Sequence, residues 1–149
     1  MISSTNPGNV RYYSGFSGLA GEKNGFAIFK NDGYGYKAIY SILSTYLTKY
    51  GLNTISKIGA RYAPPSENQT NTWVNIVSQV SGIGPNQIIT SSDFYRIIAG
   101  IVRIENGIRI SPLEIQDKIK NSDSSNFWII GFFSVIFGTF FFFNGKAKV

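Results

Sequence analysis

From Phe127 to Phe143 the chain reads FWIIGFFSVIFGTFFFF, seventeen residues without a charge that hold eight of its twelve phenylalanines. A run of this kind constrains the fold more than any other feature, because it demands either lipid or a protein core around its whole circumference. As a helix rising roughly 1.5 Å per residue it reaches about 25 Å, slightly less than a typical hydrocarbon core, so its flanks must contribute or the bilayer must thin. Trp128 near one end, with Lys146 and Lys148 beyond the other, suits the two headgroup layers. The segment is read as a transmembrane helix over 127–143 followed by a basic tail over 144–149. The alternative for a stretch this short is a buried core helix.

The rest separates cleanly from this tail. Asn121–Asn126, NSDSSN, has linker composition, and residues 1–120 have the length of one compact domain. The first ten residues, MISSTNPGNV, contain neither a basic n-region nor an apolar h-region, so a secretory leader is not expected.

Within residues 1–120 the pattern predicts a mainly α domain with a small β-hairpin lobe. Val10–Tyr13 and Phe26–Phe29 have strand character, and the glycines between them suit turns. Asn31 or Asp32 caps a first helix whose apolar positions Ile39, Ile42, Leu43, Tyr46, Leu47 and Tyr50 follow a helical period up to Gly51. A second helix is expected from about Thr54 to Tyr62, broken by Pro64 and Pro65, followed by a polar loop over Ser66–Asn71. Trp73, Val74, Ile76, Val77 and Val80 mark a third helix ending at Gly82. Ser91 or Ser92 caps a fourth, carrying Phe94, Ile97, Ile98, Ile101 and Val102 up to Asn106-Gly107. Ser111-Pro112-Leu113-Glu114 opens a fifth with a capping box.

Composition narrows the chemistry. There is no cysteine and no histidine, which excludes disulfides, thiolate nucleophiles, Ser-His-Asp triads and most transition-metal sites. Eight acids face fourteen basic residues, for a net charge of +6 that favours anionic partners. Glycine-rich phosphate loops are absent and no close acid cluster suggests a metal, so no cofactor is expected. No nucleic-acid motif accompanies the scattered basic residues, and no nucleic acid partner is expected.

Among the acids Glu105 stands out. It follows Ile98 by seven residues and Ile101 by four, on the apolar face of its helix and in the last turn. Desolvation there raises a carboxyl pKa, and the negative end of the helix dipole acts in the same direction. A carboxyl kept protonated near neutral pH is what glycosidic-bond cleavage needs to protonate a leaving oxygen. The alternative places Glu105 in solvent at a frayed helix end, paired with Arg103 or Arg109. Glu22, in the hairpin lobe, is the candidate for a second carboxylate, or a turn residue. Glu67 suits a loop brace, Asp32 and Asp93 suit caps, and Glu114 serves the capping box. The nine tyrosines either stack on sugar rings in a cleft or fill core positions.

The segments Asn6-Pro-Gly-Asn-Val-Arg-Tyr12, Gly25-Phe-Ala-Ile-Phe29, Gly51-Leu-Asn-Thr-Ile55, Arg61-Tyr-Ala-Pro-Pro-Ser-Glu-Asn-Gln-Thr70 and Arg103-Ile-Glu-Asn-Gly107 resemble a family of bacteriophage virion proteins similar to lysozyme-like lytic transglycosylases. The resemblance covers about residues 5–107. It implies a lysozyme-like α+β fold and cleavage of the β-1,4 bond between N-acetylmuramic acid and N-acetylglucosamine in peptidoglycan. No glutamate precedes Asn6-Pro-Gly-Asn9, where the family order would place it. The resemblance therefore implies a circular permutation, in which the Glu105-Asn106-Gly107 helix end supplies the acid beside the amino-terminal loop. On this reading Glu105 is the acid/base, and Asn6, Asn9, Tyr62, Asn68 and Thr70 contact substrate. The implied setting is a virion with an internal membrane, with peptidoglycan, the bilayer and other virion proteins as partners. The rival expectation is a non-catalytic, membrane-anchored virion protein linking capsid to membrane. A third is a cellular tail-anchored basic binding module.

Overall fold

A computed structural model describes residues 5–65 and 69–123. The expected membrane segment over 127–143, the basic tail after it, and Asn68 lie outside these residues. No helix among the described residues is long and apolar enough to cross a membrane.

The described chain is mainly helical with a two-stranded antiparallel sheet: β1 (Leu19–Lys23), β2 (Phe26–Phe29), α1 (Asp32–Tyr50), α2 (Ile55–Tyr62), α3 (Thr70–Ser81), α4 (Phe94–Asn106) and α5 (Pro112–Ser122). The hairpin differs from the sequence expectation. Its first strand is Leu19–Lys23 rather than Val10–Tyr13, because Asn24 and Gly25 both take positive φ (55° and 82°) in the two-residue turn that such hairpins favour. Val10–Tyr12 instead runs along the other side of β2. Ala27 N–H donates to Val10 O, Tyr12 N–H donates to Gly25 O, and Arg11 bridges Phe26.

The helix boundaries follow local chemistry. Asn31 and Thr54 cap α1 and α2 through side-chain oxygens that accept from Tyr34 N–H and Lys57 N–H. Gly51, Gly82 and Gly107 end α1, α3 and α4 in left-handed geometry. A short 3-10 turn over Ser91–Asp93 precedes α4, capped by Thr90 in a reciprocal box with Asp93 rather than by Ser91 or Ser92 as expected. Thr70 and Asn71, expected in a polar loop, form the first turn of α3. The linker expected to begin at Asn121 starts later, since Asn121 and Ser122 finish α5 and Ser122 is buried. The Asp123 carboxylate then pairs with Lys37, and Lys118 pairs with Asp32, fastening α5 to the start of α1.

The core centres on α4. Ile97, Ile98, Ile101 and Val102 are fully buried, together with Ile39 and Leu43 of α1, Ile55 and Ile58 of α2, Val77 of α3 and Ile115 of α5. Gly100 lets α4 cross α3 closely, for a Cβ there would come within 2.8 Å of the Val77 Cα. The period of α1 is right but its last member is not, since Tyr50 is 44% exposed. Burying α4 through Val102 leaves its last turn at the edge of this core, which sets the environment of Glu105.

Candidate active site

Glu105 sits half-buried in the last turn of α4, which Gly107 closes by donating its N–H to Arg103 O and Val102 O. Its carboxylate accepts two hydrogen bonds from distant parts of the chain. Asn9 Nδ2 donates to Oε2 at 3.0 Å, and Trp73 Nε1 donates to Oε1 at 3.2 Å. Burial pushes the Glu105 carboxyl above its ordinary range, against the opposing pull of these two donors, which favour the ionised form. The ion pair with Arg103 considered from sequence is not how Arg103 is used, since its guanidinium donates to Gly107 O.

Each donor is itself held in place. Asn9 adopts positive φ (49°), and its Oδ1 accepts from Asn106 Nδ2 at 3.2 Å. Asn106 Nδ2 also donates to Pro7 O at 2.7 Å, so the end of α4 clamps the loop over residues 6–9. The amino-terminal loop thus lies against the Glu105-Asn106-Gly107 helix end. Trp73 is 3% exposed and packs over Gly59 of α2, where a Cβ would lie 3.1 Å from the indole. A buried indole N–H needs an acceptor, and Glu105 supplies it.

Tyr62 completes the cluster. Its ring lies 5.6 Å from that of Trp73 at 31°, and its hydroxyl donates to Gly8 O at 2.7 Å. Burial first, and the nearby Glu105 charge second, hold the Tyr62 phenol well above its ordinary pKa, so it remains a neutral donor.

Beside this cluster lies a groove of about 580 Å³. Asn9 and Tyr62 belong to both, while the rest of the lining mixes aromatic and basic side chains, including Arg11, Tyr12, Tyr13, Phe16, Tyr46 and Arg61, with hydroxyls and the aliphatic Val10, Ile42 and Pro64. Glu105 itself does not line the groove. Its carboxylate adjoins the groove through Asn9, which donates to Oε2 and lines the groove wall.

Asn6 and Thr70, expected to contact substrate, and Glu22, the candidate second carboxylate, are engaged elsewhere. Asn6 is fully buried. Its Nδ2 donates to Val10 O and Ala27 O, and its Oδ1 accepts from Val10 N–H, so it joins the amino-terminal loop to β2. Thr70 Oγ1 donates to Ala63 O at 2.6 Å, closing the loop between α2 and α3. Glu22 is exposed in β1 and accepts from Gly25 N–H across the hairpin turn; it is not among the causes of the Glu105 shift. Asn9 and Tyr62 do lie at the groove, but as partners of Glu105 and Gly8.

Sequence reasoning missed Trp73 as a partner of Glu105, because its helical spacing fits the core equally well. It also missed Asn106. The signal available was chemical: an indole N–H on an apolar helix face needs a polar partner, and so does a carboxyl on another.

No family model matches the chain. Over 82 residues, 55% of this chain, it is 39% identical to "Protein P5" of Pseudoalteromonas phage PM2. The chain spans about half the length of this relative, 51%. The similarity is therefore to a bacteriophage protein.

Proposed function

We propose that this chain is a phage peptidoglycan-cleaving glycosidase of the lytic transglycosylase or muramidase type, with Glu105 as its acid/base. The observation that carries the reading is a half-buried carboxyl, shifted toward the protonated form and held by two neutral donors, one of which, Asn9, also lines the adjoining groove. Protonated, Glu105 gives its proton to the glycosidic oxygen and releases the leaving sugar. Ionised and still held by Asn9 and Trp73, it accepts the proton of the C6 hydroxyl of the N-acetylmuramic acid, which closes a 1,6-anhydro ring. One carboxylate suffices for this sequence, in keeping with the engagement of Glu22 in its own hairpin. The similarity to a phage protein supports a virion setting, and the uncharged run over 127–143 supports anchorage in an internal membrane of the particle.

The test is release of anhydromuropeptides from purified sacculi. The native chain is expected to release them, and Glu105→Gln to lower release by at least 10²-fold while retaining the fold. Undiminished release by Glu105→Gln overturns the assignment.

A second reading has an observation of its own. Both carboxylate oxygens of Glu105 are taken by protein donors, and the same cluster fastens residues 6–9 to α4. Such a cluster equally serves a non-catalytic virion protein that links capsid and membrane. That reading predicts no bond cleavage by the native chain and a loss of stability, rather than of activity, in Glu105→Gln.

A further inference from the structure

Asn106 is the last residue of α4 before the left-handed Gly107, and the acid/base chemistry above leaves it unused. It is exposed and does not line the groove. Its side-chain Nδ2 nevertheless meets three oxygens of the amino-terminal loop: Pro7 O at 2.7 Å, Asn9 Oδ1 at 3.2 Å and Asn6 O at 3.4 Å. An asparagine amide has a donor end and an acceptor end, and what each end meets decides which way it faces. Turned by half a rotation, Asn106 would bring its own Oδ1 against three acceptors with no proton between them. Its donor end therefore faces the loop.

That choice is passed on to Asn9, 97 residues away along the chain. With Oδ1 taken by Asn106, the Asn9 amide has its Nδ2 left for the other side, where Glu105 presents Oε2 at 3.0 Å and its backbone O at 3.3 Å. A flipped Asn9 would set two NH2 groups against each other at Asn106 and two oxygens against each other at Glu105. The Asn9 backbone holds positive φ (49°) and its N–H donates to Asn6 O at 3.3 Å, so the side chain starts from a fixed point. We propose that Asn106 is a positioning residue that acts on Glu105 through Asn9, locking the Asn9 amide with its donor end on the carboxylate. The inference rests on the acid/base reading of Glu105 and adds to it a residue outside the groove.

The chemical consequence falls on the ionised half of the cycle. A locked donor stabilises and aligns the carboxylate that takes the C6 hydroxyl proton, whereas a free Asn9 amide turns either end toward it and gives up part of that stabilisation. The other groups around the carboxylate hold their state meanwhile. Tyr62 of α2 faces Glu105 as a neutral phenol, Trp73 of α3 is a neutral donor, and Arg103 of α4 is turned to Gly107 O.

A double-mutant cycle on the full chain tests the relay, with the Glu105 titration read by carboxyl ¹³C chemical shift against pH. Asn9→Gly removes the intermediate amide while tolerating the positive φ. Asn106→Ala is expected to move the Glu105 pKa upward in the native background and to leave it unmoved in the Asn9→Gly background. On soluble peptidoglycan strands Asn106→Ala is expected to lower kcat about tenfold, the cost of an unaligned carboxylate, with KM within twofold. The alkaline limb of its kcat/KM profile is expected to move to higher pH with the carboxyl. An equal upward movement in both backgrounds shows that Asn106 acts on Glu105 without Asn9, and it overturns the relay. So does an unmoved titration in both backgrounds with a lowered urea midpoint, which makes Asn106 a clamp of the loop and nothing more. If the native chain cleaves no glycan, the acid/base reading falls alone, because the carboxyl titration still decides the relay.

Discussion

Trp73 Nε1 on α3 donates to Glu105 Oε1 on α4 at 3.2 Å, so an indole buried in the core fixes one oxygen of a carboxyl at the core's edge. The bond stabilises the ionised carboxylate and works against the desolvation that raises its pKa. Trp73→Phe keeps an aromatic ring and removes only the donor. The Glu105 pKa in this variant is expected to move further upward, as read by carboxyl ¹³C chemical shift against pH. Loss of one charge-assisted hydrogen bond, together with the smaller ring, is expected to cost about 2 kcal/mol of stability in urea denaturation. A downward movement of the pKa contradicts the donor role of the indole.

The direction of the Glu105 shift fixes a pH dependence. Its carboxyl is raised in the folded chain relative to the ordinary value of 4.5, so between the unfolded and folded pKa the folded state holds more of the proton. Stability then falls as pH rises through that window, and the penalty is complete above the folded pKa. Below the unfolded pKa both states are protonated and the penalty vanishes. Urea denaturation at a series of pH values is expected to show this downward slope immediately above pH 4.5 for the native chain relative to Glu105→Gln, which cannot titrate. A slope of opposite sign means that the donors outweigh burial.

Much of this arrangement is legible in the sequence, and the remainder is not for definite reasons. Periodicity and capping place the five α-helices of the described residues, and the apolar spacing of Ile98, Ile101 and Val102 puts Glu105 on the apolar face of the fourth. The hairpin is misplaced because the Val10–Tyr13 run of β-formers outweighs the stronger local signal, Asn24-Gly25, whose positive φ values set the turn. The partners of Glu105 are illegible for another reason. Asn9 and Trp73 lie 96 and 32 residues from it along the chain, and spacing rules extend over only a turn or two of helix. Residue type alone also fails to separate a substrate-binding asparagine from a structural one. Asn6 and Asn9 belong to the same Asn-Pro-Gly-Asn turn, yet one is buried against β2 and the other faces Glu105.

That division between the two asparagines is open to measurement. Asn6→Ala removes two donors and one acceptor from buried backbone groups of Val10 and Ala27, leaving them without these partners. The expected cost is about 1–3 kcal/mol, visible as a lower urea midpoint with unchanged slope and as faster hydrogen exchange at Val10 N–H. Glycan affinity measured on the folded fraction is expected to stay within twofold of native. A large affinity loss without a stability loss makes Asn6 a substrate contact after all.

Glu22 separates the two forms of the proposed reaction. Hydrolysis with retention or inversion ordinarily employs a second carboxylate, whereas closure of an anhydro ring uses the substrate's own hydroxyl. Glu22 is exposed, and its carboxylate accepts from Gly25 N–H in the β1–β2 turn, three residues along the chain. Glu22→Gln keeps an acceptor oxygen there, so the turn is expected to weaken by less than about 1 kcal/mol. Release of anhydromuropeptides by this variant is expected to remain within twofold of the native rate, with the product distribution unchanged. If instead activity collapses and the native products are reducing sugars, the hairpin must move its carboxylate to the Glu105 groove when substrate binds, and hydrolysis replaces ring closure as the reaction.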